Sequence, residues 1–211
     1  MPAKTDHTLE RLVFFSDAVF AIAITLLVLE VGVPHLPKGS PAAAFGAPLD
    51  ALIPSLFGYI VSFAVIGMFW VTHHRAFACT VHYRPKVLAW NMMLLGCIAL
   101  MPWVTAFMSS NIRSQLPWIV YCGALTVTAL LSYGVVRLAT GPEMAGEKTA
   151  RSPEALYVRR RSLATLIGAA LSFGIVFLLP GYWHFSLLAM VLARRGVDAA
   201  ERVRAKRAPQ P

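Results

Sequence analysis

Residues 51–74, 87–112, 114–136 and 162–193 contain no Asp, Glu, Lys or Arg, and these intervals are 24, 26, 23 and 32 residues long. An α-helix crosses a bilayer with roughly 20 apolar residues, so the first three intervals read as single membrane spans. The fourth is too long for one span and is interrupted by Pro180-Gly181, a helix-ending pair. It predicts two helices in a hairpin. Residues 12–33 are also apolar and helix-length apart from Asp17 and Glu30, which makes a sixth span with a carboxylate inside it. Composition agrees: 14% of the chain is charged and 57% apolar, where a soluble domain has about a quarter of its residues charged. Disorder, a collagen repeat and a disulfide scaffold are excluded on the same figures. The expected architecture is all-α, one membrane domain over 1–211. Its six spans lie near 12–33, 51–74, 87–110, 116–138, 160–179 and 182–195, followed by a basic tail at 196–211.

The placement of the basic residues tests this topology independently, because Lys and Arg gather in cytoplasmic loops. With six spans and both termini inside, 17 of the 19 basic residues fall on the cytoplasmic side, and only Lys38 and Arg113 do not. Reading 162–193 as one span would move the basic residues after Ala193 to the wrong side. The high sequence pI, near 9.9, is therefore a topology signal, and no nucleic-acid partner is expected. The first apolar run is as long as a true span and holds Asp17 near its start, so it is expected to be a span and not a cleaved signal. The last span is the shortest: 182–193 offers 12 uncharged residues, a full crossing only if Arg194 and Arg195 snorkel.

Cys79, Cys97 and Cys122 form no CxxC pair, so neither zinc nor a disulfide framework is indicated. His73 and His74 are adjacent, about 100° apart on a helix, which does not suit a shared metal, and HExxH is absent. The chain has no GxSxG, P-loop or dinucleotide fingerprint, so an enzyme, a resident metal and a cofactor are not expected.

Asp17 carries the most information. A carboxylate about five residues into a membrane helix is costly and needs a partner. Arg11 lies six residues earlier, off its face of the helix. The second span ends on the same side of the membrane, bringing Trp70, His73, His74 and Arg75 to the depth of Asp17. Asp17 or Ser16 is therefore expected to bond to Trp70 or one of these histidines, or Asp17 to Arg11 of another copy. Further along, Ile22, Leu26 and Leu29 follow i, i+4, i+7 spacing and form one stripe, with Thr25 beside it. By itself such a stripe is a packing or lipid-facing surface.

The string Arg11-Leu12-Val13-Phe14-Phe15-Ser16-Asp17 has the pattern RxxxFSD, and Phe69-Trp70-Val71-Thr72-His73-His74-Arg75-Ala76-Phe77 follows in the second span. Together they closely resemble the transmembrane protein 175 family, potassium-permeable channels of lysosomes and prokaryotes. The likeness is strong over roughly the first 80 residues. It implies six-helix repeats without a TVGYG loop, with first helices lining the pore and apolar side chains forming the constriction. Carried over by position, those residues are Ile22, Leu26 and Leu29, with Thr25 helping to select potassium. RxxxFSD occurs once; His184-Phe185-Ser186-Leu187 lacks its acid and arginine. A single repeat implies a homotetramer in a prokaryotic plasma membrane, with K+ in transit and modest selectivity over Na+. The alternatives are a proton-coupled small-solute transporter using Asp17 and a second-span histidine, and an intramembrane enzyme built on the same pair.

Overall fold

The structure is a computed structural model that describes residues 7–179 and 181–207. Lys4 and Pro180, both used in the sequence reading, and residues 208–211 of the basic tail lie outside them. Among the described residues there is no strand. The long helices are α1 (His7–Leu26), α3 (Ile53–Ala78), α4 (Pro85–Ser110), α5 (Gln115–Ala139), α8 (Pro153–Leu178) and α9 (Leu188–Arg207). Three short ones, α2 (Gly46–Asp50), α6 (Pro142–Ala145) and α7 (Glu147–Ala150), lie in the connections.

Among the described residues five segments are long and apolar enough to cross a membrane: His7–Glu30, Gly46–Ala78, Pro85–Ser110, Gln115–Ala139 and Pro153–Leu178. The stretch 182–195, expected as a sixth span, is not among them. It holds a 3₁₀ turn, Trp183–Phe185, and the first eight residues of α9, whose remaining twelve residues include six charged ones. The ends of the first span also differ from expectation. α1 is already helical at His7, the first described residue, and after Leu26 the chain tightens into a 3₁₀ turn, Leu27–Glu30, so helical structure stops short of Val33.

Local chemistry explains several of the ends. Pro85 and Pro153 occupy the first position of α4 and α8, where a missing N–H costs nothing, and Ser152 Oγ accepts from Ala155 N at 3.2 Å as a helix cap. Hydroxyls inside the apolar helices turn back onto their own backbone: Thr105, Thr128 and Ser172 donate to carbonyls four residues earlier at 2.7–2.8 Å. That satisfies donors which have no water to meet.

The helices approach closely where one of them has no side chain, as membrane packing favours. A Cβ on Gly168 would lie 2.5 Å from Met190 Cα, and one on Gly134 would lie 2.5 Å from the Trp90 ring. α8 and α9 run antiparallel. Ser172 meets Ser186, Thr165 meets Arg194 and Tyr157 meets Asp198, so partners descend one helix as they climb the other. α5 is the central element, packed on α4 and α8, while α1 packs chiefly on α4 and α3. Trp118, Tyr121, Ile66, Phe69 and Ile98 fill the interior.

Candidate functional site

One face of α1 is packed and the other is bare. Leu9, Leu12, Ser16, Phe20, Ala23 and then Leu27 are buried, a spacing of three and four that marks a single helical face. In the middle of that face Ser16, fully buried, donates its hydroxyl proton to Leu12 O at 2.8 Å and accepts from Asn91 Nδ2 of α4 at 2.8 Å. This fixes the orientation of the Asn91 amide: its oxygen faces His73 Nε2 of α3 at 2.9 Å. An amide oxygen only accepts, so Nε2 carries the proton and donates. The other ring nitrogen, His73 Nδ1, is buried with no hydrogen-bond partner among the described residues, and the imidazole lies between Phe20 and Phe77, with ring centroids 5.5 and 4.5 Å away.

Asp17, the next residue, points off the edge of the packed face and is half-buried. Trp70 Nε1 of α3 donates to its Oδ1 at 2.9 Å, and the Trp70 ring stacks on His74 at 5.6 Å. Ser16 and Asp17 thus tie α1 to both of its neighbours, one through Asn91 to α4 and the other through Trp70 to α3. His73 is buried and His74 exposed; they face different surroundings, as adjacent helical residues do. Among the described residues no group of three or more His, Cys, Asp or Glu is placed to hold a metal ion.

The bare face carries the remaining residues singled out in the sequence. Arg11 and Phe15 are exposed at its start, and Arg11 has no ion pair within the chain among the described residues. Ile22, Leu26 and Leu29 are 58%, 40% and 73% exposed. Thr25 is exposed between them and donates its hydroxyl proton to Ile22 O at 2.9 Å, which leaves the oxygen lone pairs on the open side.

The 3₁₀ turn alters how the stripe is built. Ile22 to Leu26 is four α-helical residues, a rise of about 6 Å. Leu26 to Leu29 is one 3₁₀ turn, also about 6 Å, with side chains three apart eclipsed. The three apolar side chains therefore form evenly spaced levels.

Asn91 is the residue that sequence reasoning missed. It is uncharged, so a search for charges passes over it. A search for any amide inside an apolar interval would have found it.

A family model described as endosomal/lysosomal potassium channel TMEM175 matches residues 11–102. A protein of Streptomyces collinus named a potassium channel is 39% identical over 105 residues, half of this chain and half of that one. The chain thus spans about half the length of that relative. A protein of Chryseobacterium, also named a potassium channel, is 28% identical over 89% of this chain and 95% of its own length. The crystal structure of a lysosomal potassium-selective channel TMEM175 homolog from Chamaesiphon minutus superposes with a TM-score of 0.74 at 28% identity, covering 89% of this chain and 95% of that one. The family-model match takes in the α1 motif and the α3 and α4 residues that anchor it, and a likeness at 28% identity extends over most of the fold: the chain is similar to the TMEM175 family and to its prokaryotic potassium-channel members.

Proposed function

We propose that this chain forms a potassium-permeable cation channel in which four copies set the bare faces of their α1 helices around a common axis. The observation that carries the reading is the rotation of α1. Ser16–Asn91–His73 and Asp17–Trp70 hold one face against α3 and α4 and leave Ile22, Thr25, Leu26 and Leu29 uncovered on the other. The names of the relatives support the same activity. In the assembly Ile22, Leu26 and Leu29 form three stacked apolar rings about 6 Å apart. Such rings gate by dewetting. They offer nothing to replace a hydration shell, so they discriminate by the cost of stripping water, lower for K+ than for Na+. Selectivity is accordingly modest. The Thr25 oxygens, their protons engaged by the backbone, replace part of the lost hydration, and Glu30, exposed beyond the last ring, raises the local cation concentration. Arg11, Phe15, Ser16, Asp17, Trp70, His73 and His74 orient the helix and lie outside the constriction, with Arg11 free to pair across copies.

In this reading the α8–α9 hairpin supplies the sixth crossing, with Arg194 turned inward onto Thr165 Oγ1 at 3.0 Å, and both termini lie on the cytoplasmic side of a prokaryotic plasma membrane. Proton-coupled transport through an Asp17–histidine relay fits less well, because Asp17 bonds to Trp70 and His73 to Asn91. The test is ion flux into liposomes loaded with K+ or Na+. Ile22→Asn is expected to raise Na+ entry severalfold relative to K+; an organic solute that saturates turnover, with no ion flux, would overturn the channel.

A further inference from the structure

Away from α1, a cavity of about 210 Å³ opens where α4 begins and α5 ends. Arg84 and Lys86 line it from the start of α4 and Arg137 from the last turn of α5, with Glu143 the one acidic lining residue. Val87 and Met144, both buried, line it as well. None of the three cations has an ion-pair partner among the described residues. A fourth, Arg159, sits close by, bonded to the carbonyl and hydroxyl of Thr140. The walls are tied together: Val81 N and His82 N both donate to Met144 O at 2.8 and 2.9 Å, and Thr80 Oγ1 donates to Ala139 O at 2.9 Å.

Apolar side chains continue from the cations along both helices. Lys86, Trp90 and Met93 follow i, i+4, i+7 spacing on α4, and Arg137, Leu130 and Val127 lie on one face of α5; all six are exposed. Trp90 bridges the two stripes by resting on Gly134. A pocket with three cations to one carboxylate, continued along both helices by exposed apolar side chains, has chemistry complementary to that of an acidic amphiphile. A free phosphate would use only the basic end.

We infer that this site binds an anionic phospholipid, its phosphate among Arg84, Lys86 and Arg137 and an acyl chain along the exposed apolar stripes of α4 and α5. Guanidinium groups meet phosphate oxygens in paired hydrogen bonds, and each basic side chain near a membrane surface is worth roughly a factor of five in binding. A zwitterionic head brings its own ammonium to the same cations and gains less.

Native mass spectrometry of the purified chain, titrated with phosphatidylglycerol, phosphatidylcholine or inorganic phosphate, tests this. Phosphatidylglycerol is expected to bind about tenfold more tightly than phosphatidylcholine. Arg84→Ala with Arg137→Ala should weaken it by roughly 25-fold, Glu143→Gln should strengthen it severalfold, and Arg151→Ala, an exposed cation paired with Glu147, should leave it unchanged. Equal binding of the two lipids overturns the site, as does an unchanged affinity in the double variant or an equal loss in Arg151→Ala. Displacement of phosphatidylglycerol by millimolar inorganic phosphate overturns the lipid in favour of a free-phosphate site. Should the double variant not fold, the gain in Glu143→Gln decides.

Discussion

Asn91 bridges two helices, donating to the Ser16 oxygen on α1 and accepting the His73 Nε2 proton from α3. Replacing it by Leu leaves that proton buried and unbonded, at a cost of about 1–3 kcal/mol. Thermal unfolding in detergent should show Asn91→Leu less stable, and combining it with His73→Phe should cost less than the sum, by about 0.6 kcal/mol, the average of such couplings in membrane helices. Strict additivity would mean that the bond contributes nothing. Trp70→Phe keeps the ring on His74 and deletes only the proton donated to Asp17; it should lower stability by about 1–2 kcal/mol, less than for a fully buried carboxylate because Asp17 is half-open to its surroundings. At this scale Asp17 was legible in the sequence because a charge inside an apolar run demands a partner, and the depth of the second span narrowed the candidates to a few residues that include Trp70. Asn91 was not legible from charge, and no periodicity distinguishes it from its apolar neighbours.

The helices themselves follow from the charge-free intervals, but their ends depend on local chemistry that hydropathy does not encode. Leu27, Val28, Leu29 and Glu30 contain neither proline nor glycine, so nothing in them announces a 3₁₀ turn, and the first span was expected to run on to Val33. The final helix differs for another reason. Hydropathy weighs the charges of α9, 8 of its 20 residues, whereas its packing on α8 is decided at Gly168. Any side chain there meets the Met190 backbone, which cannot swing aside. Gly168→Val should therefore separate α8 from α9, dropping the yield of folded protein several-fold in fluorescence-detected size exclusion. Gly174→Ala, on the same helix with nothing within 4 Å of its added carbon, should behave as wild type. Equal behaviour of the two variants would mean that the close crossing does not hold the hairpin.

For the whole molecule, a bare face of Ile22, Leu26 and Leu29 has one of two neighbours, lipid or other copies of itself. Periodicity does not choose between them; family resemblance, and the rotation imposed on α1 by its polar anchors, favour the second. A tetramer should sediment with a protein mass four times the 23.0 kDa of the chain after correction for bound detergent, and a monomer would leave the stripe facing lipid. The most direct measurement is the reversal potential of purified protein in a planar bilayer with K+ on one side and Na+ on the other, for wild type and Ile22→Asn. Unitary currents reversing on the K+ side are expected in the wild type, with the reversal moving towards zero in Ile22→Asn as the wetted ring admits Na+. No unitary current, or an Ile22→Asn channel with unchanged selectivity and conductance, would contradict a pore lined by the first helix.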